Sequence, residues 1–546
     1  MREVAIAMRV RCTALGVGVL LAVTARQASA QSAAPGVGQV SFANSGAPAA
    51  QQAFLTGLAQ LHNFEYPAAA DLFRTAQQID PGFALAYWGE AMTYNHPIWM
   101  QQDQGSARAA LGRLAPTAEA RLAKAKTDRE RAYLRAVETL YGAGDKPARD
   151  AAYANEMAEL HRVYPDDVDG TALYALALLG SCENGRDDAV YMRAAALVEP
   201  LFPTHPQHPG IAHYLIHSYD DPAHAARGLP AARAYSTIAP NAAHAQHMCS
   251  HIFIGLGMWD EVTSANETAI AIGNRLMAAT GRPPVACGHY AAWLEYGYLE
   301  QGRYADAKKV LATCYAAAAK APAPSSGPIV DPDNARAYSF ITMRLRYLLD
   351  TGEWAGDAAG WTVPAQGIHG AELTLAFTTG YAAIQRGDLT AARAEVARVD
   401  AAAQAFAGDL AKAGVTDPAP AGRSKILSAQ LAGLIQMEAG AVGAALAAIR
   451  AAAAHEESLP FEFGPPFVDK PSYELLGEML LTANQPADAR DAFEKALAHT
   501  PGRTASLVGL MRAAERSGDV KKADSVKAQL QAIWHRADPG VSPRHD

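Results

Sequence analysis

Histidine pairs recur at a fixed interval in the middle of this chain. Seven of its 17 histidines lie between positions 208 and 251, and two HxxxH pairs, His213/His217 and His247/His251, are 34 positions apart. Residues four apart on a helix lie on one face, so each pair can bind one ion through two imidazole nitrogens. Imidazole is a ligand for zinc, copper, iron and nickel. The spacing therefore predicts a transition-metal site, for zinc, copper or iron.

The sequence around these pairs predicts the helices that carry them. The turn GLGMWDEV contains Gly257 and indicates a preceding helix over residues 243–256, with His244 on the same face as the second pair. The segment HYLIH places the first pair on the equivalent face one repeat earlier. Because packed helices lie about 8–10 Å apart at their axes, we expect the four imidazoles to form one patch, with His244 at its edge.

Further residues are predicted to line a concave groove together with these histidines. His289 begins the first helix of the following repeat, and His96 and His208 each precede a proline. Tyr214 and Trp293 lie beside the histidine motifs in the sequence. We expect these five residues to contact a ligand of the groove, although a place in the helical core is the alternative for the two aromatic side chains.

The sequence leaves three interpretations of the histidines open. They bind a metal, they hydrogen-bond a peptide or carboxylate ligand, or they are a duplicated repeat without a ligand. An acidic neighbour would favour the metal: Glu183 precedes His217 by 34 positions, whereas Asp220 and Asp221 are expected to end the helix of the first pair. Affinity for a metal should fall below about pH 6, since neutral imidazole is the ligand form.

A repeating helix pair organises the chain. From Ser472 onward the small and apolar residues follow the two-helix pattern of tetratricopeptide repeats, and the turn at Asn484 recurs 34 positions later at Gly518. Further turns of this kind occur in GLGMWDEV, EQGRYADA, DTGEWAGDA, QRGDLTAA and EAGAVGAA. No segment alternates as a β-strand does. We predict an all-α fold, an α-solenoid of stacked antiparallel helix pairs with a concave surface.

Three segments are predicted along the chain. Residues 1–30 have the basic start, the apolar run and the ASA ending of a signal peptide, with cleavage between Ala30 and Gln31. Residues 31–48 are predicted to be a flexible leader, and residues 49–546 the helical array. Segments rich in proline and glycine predict loops in the array near 318–334, 414–424 and 456–471.

Composition restricts the compartment and the partners. The formal net charge of −8 offers no basic surface, so no nucleic-acid partner is expected. No later apolar run is long enough to span a membrane. We predict export to the periplasm or the extracellular space, an oxidising environment in which disulfides persist. Four cysteines outside the signal peptide permit a bridge whose pairing the sequence leaves open: Cys182, Cys249, Cys287 and Cys314.

Several motifs resemble an uncharacterised bacterial family of secreted tetratricopeptide-repeat proteins. The matching segments are YWGEAMTYNHPIW, HPGIAHYLIHSYDDP, AHAQHMCSHIFIGLGMWDE and WLEYGYLEQGRY. The resemblance covers nearly all of the chain after the signal peptide and implies the repeat fold, with no established activity. That family usually has a proline where this chain has Cys249. Because this position lies off the histidine face, we expect Cys249 to fill a packed position.

No catalytic motif accompanies the histidines. The sequences HExxH, GxxxxGK[ST] and GxSxG do not occur, so no reaction is predicted. The predicted function is an exported binding or scaffold module that takes a protein or peptide ligand in a histidine-lined groove, which can also hold a metal ion. The alternative is a metal-dependent enzyme or metal carrier that uses the two HxxxH pairs.

Overall fold

Helices make up most of the chain. The computed structural model describes residues 33–321 and 328–541, and within these ranges the chain forms 24 α-helices and one short hairpin. None of the described helices is both long and apolar enough to cross a membrane. The first nine helices are α1 (Gln51–His62), α2 (Tyr66–Ile79), α3 (Ala84–Met92), α4 (Gln104–Leu114), α5 (Ala118–Leu122), α6 (Asp128–Leu140), α7 (Lys146–Val163), α8 (Val168–Leu179) and α9 (Asp188–Val198).

The remaining helices continue the array to the C-terminal end. The hairpin pairs β1 (Asn95–His96) with β2 (Gln101–Gln102) in antiparallel fashion. The middle helices are α10 (Pro209–Ser218), α11 (Ala225–Ile238), α12 (Ala243–Gly255), α13 (Trp259–Ala279), α14 (His289–Glu300) and α15 (Tyr304–Ala318). The last nine are α16 (Arg336–Thr351), α17 (His369–Gln385), α18 (Leu389–Ala413), α19 (Ala419–Glu438), α20 (Val442–Glu457), α21 (Ser472–Thr482), α22 (Pro486–His499), α23 (Thr504–Ser517) and α24 (Val520–Ile533).

Stacked helix pairs build the architecture. Consecutive helices pack against each other along most of the chain, and α8, α10 and α12 also pack in that order, as do α17, α19, α21 and α23. This pattern confirms the predicted all-α solenoid. The five predicted turns each contain a glycine with φ between 66° and 78°, a left-handed conformation that glycine adopts with least strain: Gly257, Gly302, Gly352, Gly387 and Gly440.

The segment before α1 is packed, which differs from the flexible leader predicted for residues 31–48. Val37 and Phe42 are buried, and the Val37 carbonyl accepts a hydrogen bond from Asn63 Nδ2 at 2.9 Å. The Gln39 backbone N–H donates to the Gln207 carbonyl at 2.8 Å. Apolar side chains spaced among glycine, alanine and serine supply this burial. The predicted signal peptide, residues 1–30, lies outside the described residues.

Two of the three predicted loops are shorter than the sequence suggested. Helix α19 begins at Ala419, so the second loop covers only residues 414–418. Helix α20 extends to Glu457, so the third loop covers residues 458–471. The first loop follows Ala318, the last residue of α15, and residues 322–327 within it lie outside the described part. Alanine-rich flanks with strong helix propensity account for the longer helices.

A buried ion-pair network joins the last helices to the middle of the array. The Arg503 guanidinium, only 2% exposed, contacts the carboxylates of Glu474 at 2.8 Å, Glu300 at 2.9 Å and Asp350 at 2.7 Å. The Trp534 indole N–H donates to the Glu300 carbonyl at 3.0 Å. These contacts tie α14 and α16 to the C-terminal helices. They hold in place the helix that carries His289 at its start.

One disulfide lies next to the same helix. Cys287, two residues before α14, is bonded to Cys314 in α15. Cys182 and Cys249 are free and buried. The Cys249 thiol contacts the Ala245 carbonyl at 3.4 Å, and burial raises its pKa to about 12. The expectation that Cys249 fills a packed position is confirmed.

Replacing Arg503 by methionine tests whether this ion-pair network stabilises the fold. Glu300 would remain buried without its cation and Glu474 would keep only Lys470, so we expect the free energy of unfolding to fall by about 3–5 kcal/mol. Urea denaturation followed by circular dichroism measures this loss. The control is Arg450→Met, an exposed arginine 3.9 Å from Asp488, for which a change within about 0.5 kcal/mol is expected. Equal midpoints for the two variants would contradict the role of the network.

Candidate metal centre

Six histidines on three helices meet inside the array. Spacings of three and four keep the histidines of one helix on one face. Helices α10 and α12 occupy equivalent positions in neighbouring repeats and pack against each other, which brings the two HxxxH pairs together. The ring of His289, the first residue of α14, lies 4.5 Å from the ring of His247 in α12, measured between centroids. The six are His213 and His217 of α10, His244, His247 and His251 of α12, and His289 of α14.

The six imidazoles form two groups of three. In each group, one ligand nitrogen per residue lies within 4.8 Å of the other two. His244 and His289 are full members of these groups, whereas the sequence predicted one patch of four imidazoles with His244 at its edge. We name the groups the first triad (His213, His217 and His244) and the second triad (His247, His251 and His289).

Oxygen acceptors orient the α12 histidines of the second triad. His247 Nδ1 lies 2.7 Å from Asn266 Oδ1, and His251 Nδ1 lies 2.5 Å from Asp220 Oδ2. The Asn266 amide nitrogen donates to the Val262 carbonyl, which fixes the amide oxygen toward the imidazole. An acceptor at Nδ1 favours the tautomer with its proton there, and the Nε2 lone pairs then face each other. The two Nε2 atoms are 3.0 Å apart.

Two Nε2 lone pairs at this distance repel unless a proton or a metal ion lies between them. Burial raises the pKa of Asp220 to about 8, so one proton shared among Asp220, His251 and His247 can satisfy the metal-free pair. Burial, together with the neighbouring imidazoles, holds the pKa values of His247 and His251 well below their ordinary value, which disfavours a further proton. A metal ion can replace the shared proton, because binding to imidazole requires the neutral ligand.

His289 completes the second triad from a different helix. Its Nδ1 lies 2.8 Å from Asp333 Oδ2, which again leaves Nε2 as the ligand atom. Burial opposes the charged form of His289, but the Asp333 carboxylate outweighs it and raises the pKa. Metal-ligating histidines typically donate their other ring N–H to an oxygen acceptor. All three imidazoles of the second triad have such a partner.

A backbone carbonyl orients one imidazole of the first triad. His213 Nδ1 lies 2.6 Å from the His62 carbonyl oxygen, and His213 Nε2 lies 3.1 Å from His217 Nε2. Burial lowers the pKa of His213 to about 3 and those of His217 and His244 well below their ordinary value. Among the described residues, His244 Nε2 is buried without a hydrogen-bond partner. This triad therefore has a ring nitrogen that the protein alone does not satisfy.

Both triads are buried, whereas the sequence predicted that these side chains line a concave groove. His289 is 24% exposed, and the other five imidazoles are at most 6% exposed. Burial on the side of the second triad comes from the loop of residues 458–471, which folds against α12 and α14. Aromatic rings lie 4.3–5.6 Å from the histidine rings, and they include Phe64 and Trp99 at the first triad and Trp293 and Phe463 at the second.

Internal cavities reach the second triad. A cavity of about 190 Å³ is bounded by His289, Asp331 and Asp333, and one of about 400 Å³ by His251 and Asp220. A larger cavity of about 880 Å³ is also bounded by Asp220 and Asp331, and six carboxylate and two basic residues line it. Burial raises the pKa of four of these carboxyl groups, and a bound cation favours their charged forms. A bound ion at the second triad would thus adjoin space for a small ligand.

The other sequence candidates have separate places. His96 stacks on Tyr66 with ring centroids 4.0 Å apart, outside both triads. Tyr214 is buried, and its hydroxyl lies 2.8 Å from His62 Nδ1. Glu183, considered as a neighbour of His217, lines the cavity of about 880 Å³. Of the predicted groove residues, His289 and Trp293 are the ones that contact the second triad.

A third histidine cluster is a hydrogen-bond network around Asp169 Oδ1, whose second carboxylate oxygen has no partner among the described residues. His62 Nε2 and His208 Nε2 lie 3.0 and 3.2 Å from Asp169 Oδ1. His62 Nδ1 accepts from the Tyr214 hydroxyl, and His208 Nδ1 accepts from the Ile211 backbone N–H at the start of α10. Burial opposes ionisation of Asp169, yet the two imidazoles hold its pKa below the ordinary value. All four ring nitrogens have partners, so His208 caps a helix and does not line a groove.

In a fourth cluster of possible metal ligands, an arginine side chain pairs with the carboxylates. Asp188, Asp221 and His224 lie close enough together for a metal. The Arg186 guanidinium contacts Asp188 at 2.7 Å and Asp221 at 2.5 Å. Asp221 also accepts the backbone N–H of His224. These contacts satisfy the carboxylates without an ion.

The sequence analysis did not identify the oxygen acceptors that contact Nδ1 of the imidazoles. Asp220 was expected only to end its helix, and its position three residues after His217 is the one signal that could have indicated its role. Asn266 lies 19 positions after its partner, on the second helix of the same pair. Asp333 lies 44 positions after His289, in a loop. No spacing rule relates these last two to the histidines.

Solved structures with a similar course of the chain share little sequence with it. The APC/C heterotetramer Cut9–Hcn1 matches at 12% identity over 86% of this chain and 78% of that chain, with a TM-score of 0.34. Human IFIT1, solved as a dimer with m7Gppp-AAAA, matches at 13% identity over 91% and 92%, with a TM-score of 0.35. Yeast Tom70 matches at 9% identity over 87% and 90%, with a TM-score of 0.33. No protein-family model and no curated protein matches the sequence.

Asp169→Ala tests whether the third cluster is structural. It leaves His62 and His208 with buried, unpaired N–H groups, so we expect the free energy of unfolding to fall by about 2–4 kcal/mol. A lower thermal midpoint with unchanged metal content is the expected result. The control is Asp188→Ala, whose carboxylate is 69% exposed, with a change within about 0.5 kcal/mol. Loss of metal at an unchanged midpoint would assign this cluster to metal binding.

Proposed function

We propose that this protein binds a transition-metal ion through the second triad. The observation that carries the proposal is the common orientation of His247, His251 and His289. In each, an oxygen acceptor lies at Nδ1, which leaves Nε2 as the ligand atom, and the three residues have ligand atoms within 4.8 Å of one another. This outer shell of acceptors is what metal-ligating histidines require to hold their tautomer and ring orientation.

The donor set supports the class of metal. Three neutral imidazoles suit zinc, copper, iron or nickel, whereas magnesium and calcium prefer oxygen ligands. Three protein ligands leave a coordination position for water or a substrate, as in catalytic zinc sites. The cavities beside His251 and His289 give that position access to a small ligand. Metal binding is therefore the function that the geometry supports best, and a metal-dependent reaction is the chemistry it permits.

The charge around the site supports the entry of a cation. Asp220 and Asp333 lie in direct contact with the second triad, and both also border cavities. Further carboxyl groups line the cavity of about 880 Å³ and extend this acidic surface away from the histidines. Cations concentrate in such regions because the field lines converge in a low-dielectric enclosure.

A protein or peptide ligand is the second candidate, as the repeat architecture predicted. The observation that favours it is the cavity of about 880 Å³, in which Glu462 and Asp417 lie beside aromatic side chains. This chemistry fits a basic peptide segment. Binding of a lysine-rich peptide that depends on Glu462 and not on His289 would support this candidate, and equal affinity of Glu462→Gln and the unaltered protein would contradict it.

Export is proposed together with this function. The N-terminal sequence has the features of a signal peptide, and the Cys287–Cys314 bridge fits an oxidising compartment. Fractionation of cells that produce the full chain tests this proposal. We expect the protein outside the cytoplasm, with its first residue at Gln31. Retention in the cytoplasm with residues 1–30 attached would contradict export.

Removal of His289 tests the metal site. We expect His289→Ala to retain about one ion fewer per chain than the unaltered protein, because a two-histidine site holds its ion too weakly to survive dialysis. The measurement is elemental analysis of untagged protein after incubation with zinc, copper or iron. The control is His205→Ala, an exposed loop histidine. Equal metal contents in both variants would contradict the proposal.

Replacement of Asp220 tests the outer shell. Asp220→Asn preserves the size of the side chain but removes the carboxylate that can accept the Nδ1 proton of His251 when a metal ion binds. We expect the affinity for zinc to fall about 10–100-fold while one ion still binds. Competition with a chromophoric chelator measures the affinity, and Asp188→Asn is the matched exposed control. An unchanged affinity would show that this acceptor does not orient the ligand.

A further inference from the structure

We propose that the first triad holds a second transition-metal ion, so that the two triads form one binuclear centre. The inference rests on the proposed metal site of the second triad and extends it to His213, His217 and His244. The ligands belong to the same chemical class, three imidazole nitrogens, so the second ion would also be zinc, copper, iron or nickel.

The two triads are built by the same repeat rule. Each combines an HxxxH pair on the first helix of one repeat with a histidine from the first helix of the next repeat. The first triad takes its pair from α10 and its third member from α12. The second triad takes its pair from α12 and its third member from α14. The same combination of helices and residue types therefore repeats along the solenoid.

The first triad contains nitrogen atoms that the protein does not satisfy. His213 donates its Nδ1 proton to the His62 carbonyl, so its Nε2 lone pair faces His217 Nε2 at 3.1 Å. A proton on His217 Nε2 can satisfy this contact. It leaves His244 Nε2 buried and without a partner among the described residues. A buried polar atom in that state destabilises the fold, and an ion shared by the three nitrogens removes this cost.

The two triads are direct neighbours. The rings of His217 and His251 have centroids 5.9 Å apart, and those of His244 and His247 are 6.1 Å apart. His244 and His247 belong to the same helix and to different triads, so no layer of other side chains separates the sites along α12. Two ions in this chamber can act on one small oxygen-donor ligand, which is the general use of paired metals.

The carboxylates around the triads predict unequal affinities. Asp220 and Asp333 contact the second triad directly. Near the first triad, Glu65 accepts the His244 backbone N–H at 3.1 Å and does not contact an imidazole nitrogen. Less negative charge compensates an ion in the first triad, and we expect this ion to bind second and to dissociate first.

The experiment counts ions in metal-free, full-length protein titrated with zinc, using equilibrium dialysis and elemental analysis. The expected values are two ions per chain for the unaltered protein and for His205→Ala, one each for His244→Ala and His289→Ala, and none for the double variant. His244→Gln, which preserves more of the side-chain volume, repeats the test if the alanine variant fails to fold by circular dichroism.

The outcomes separate the two proposals. One ion in the unaltered protein, retained in His244→Ala and lost in His289→Ala, would overturn the binuclear centre and leave the second triad as the metal site. One ion lost equally in both variants would show a single site shared by the triads and would also overturn it. No bound ion in the unaltered protein would overturn both proposals.

Discussion

The conformation of this protein places buried imidazole nitrogens face to face. His247 Nε2 and His251 Nε2 are 3.0 Å apart on one helix, with Nδ1 of each held by an oxygen acceptor. Burial disfavours charging either ring, yet two bare lone pairs at that distance repel. A shared proton or a metal ion must lie between them. The surrounding elements either hold the nitrogens in this arrangement or enclose the space where the cation lies.

Contacts between distant parts of the chain hold these imidazoles in place. Repeat stacking alone brings α10 and α12 together, but His289 enters from α14. That helix is held at one end by the buried Arg503 network and is preceded by the Cys287–Cys314 bridge. The loop of residues 458–471 then places Phe463 against His251. A surface that the repeat pattern would leave open is thereby converted into an enclosed chamber with cavities beside it.

The local part of this account could be predicted from the sequence. The interval of 34 residues and the turn at Gly257 predicted a helix over 243–256, and α12 covers Ala243–Gly255. Helix periodicity also placed three histidines on one face of this helix, and the resemblance to tetratricopeptide repeats implied that this face is the inner one. These features depend on contacts within one or two repeats, and the residue types along one helix are sufficient to predict them.

The enclosure and the outer shell could not be predicted. His213 contacts the His62 carbonyl across 151 positions, and Asp333 reaches His289 from a loop that no repeat rule describes. The sequence predicted that His289 begins α14, as it does, but the longer connection before this helix left the distance of His289 from α12 undetermined. Burial of the groove depends on residues 458–471, whose proline-rich composition indicated a loop and nothing about its direction.

Anomalous diffraction from crystals of the zinc-loaded full chain tests the central claim most directly. We predict a peak about 2.0–2.1 Å from Nε2 of His247, His251 and His289, with Nδ1 of each still bound to its oxygen acceptor. A protein that binds its zinc only at Asp188, Asp221 and His224 or at other exposed side chains, with the second triad free of metal, would contradict the account.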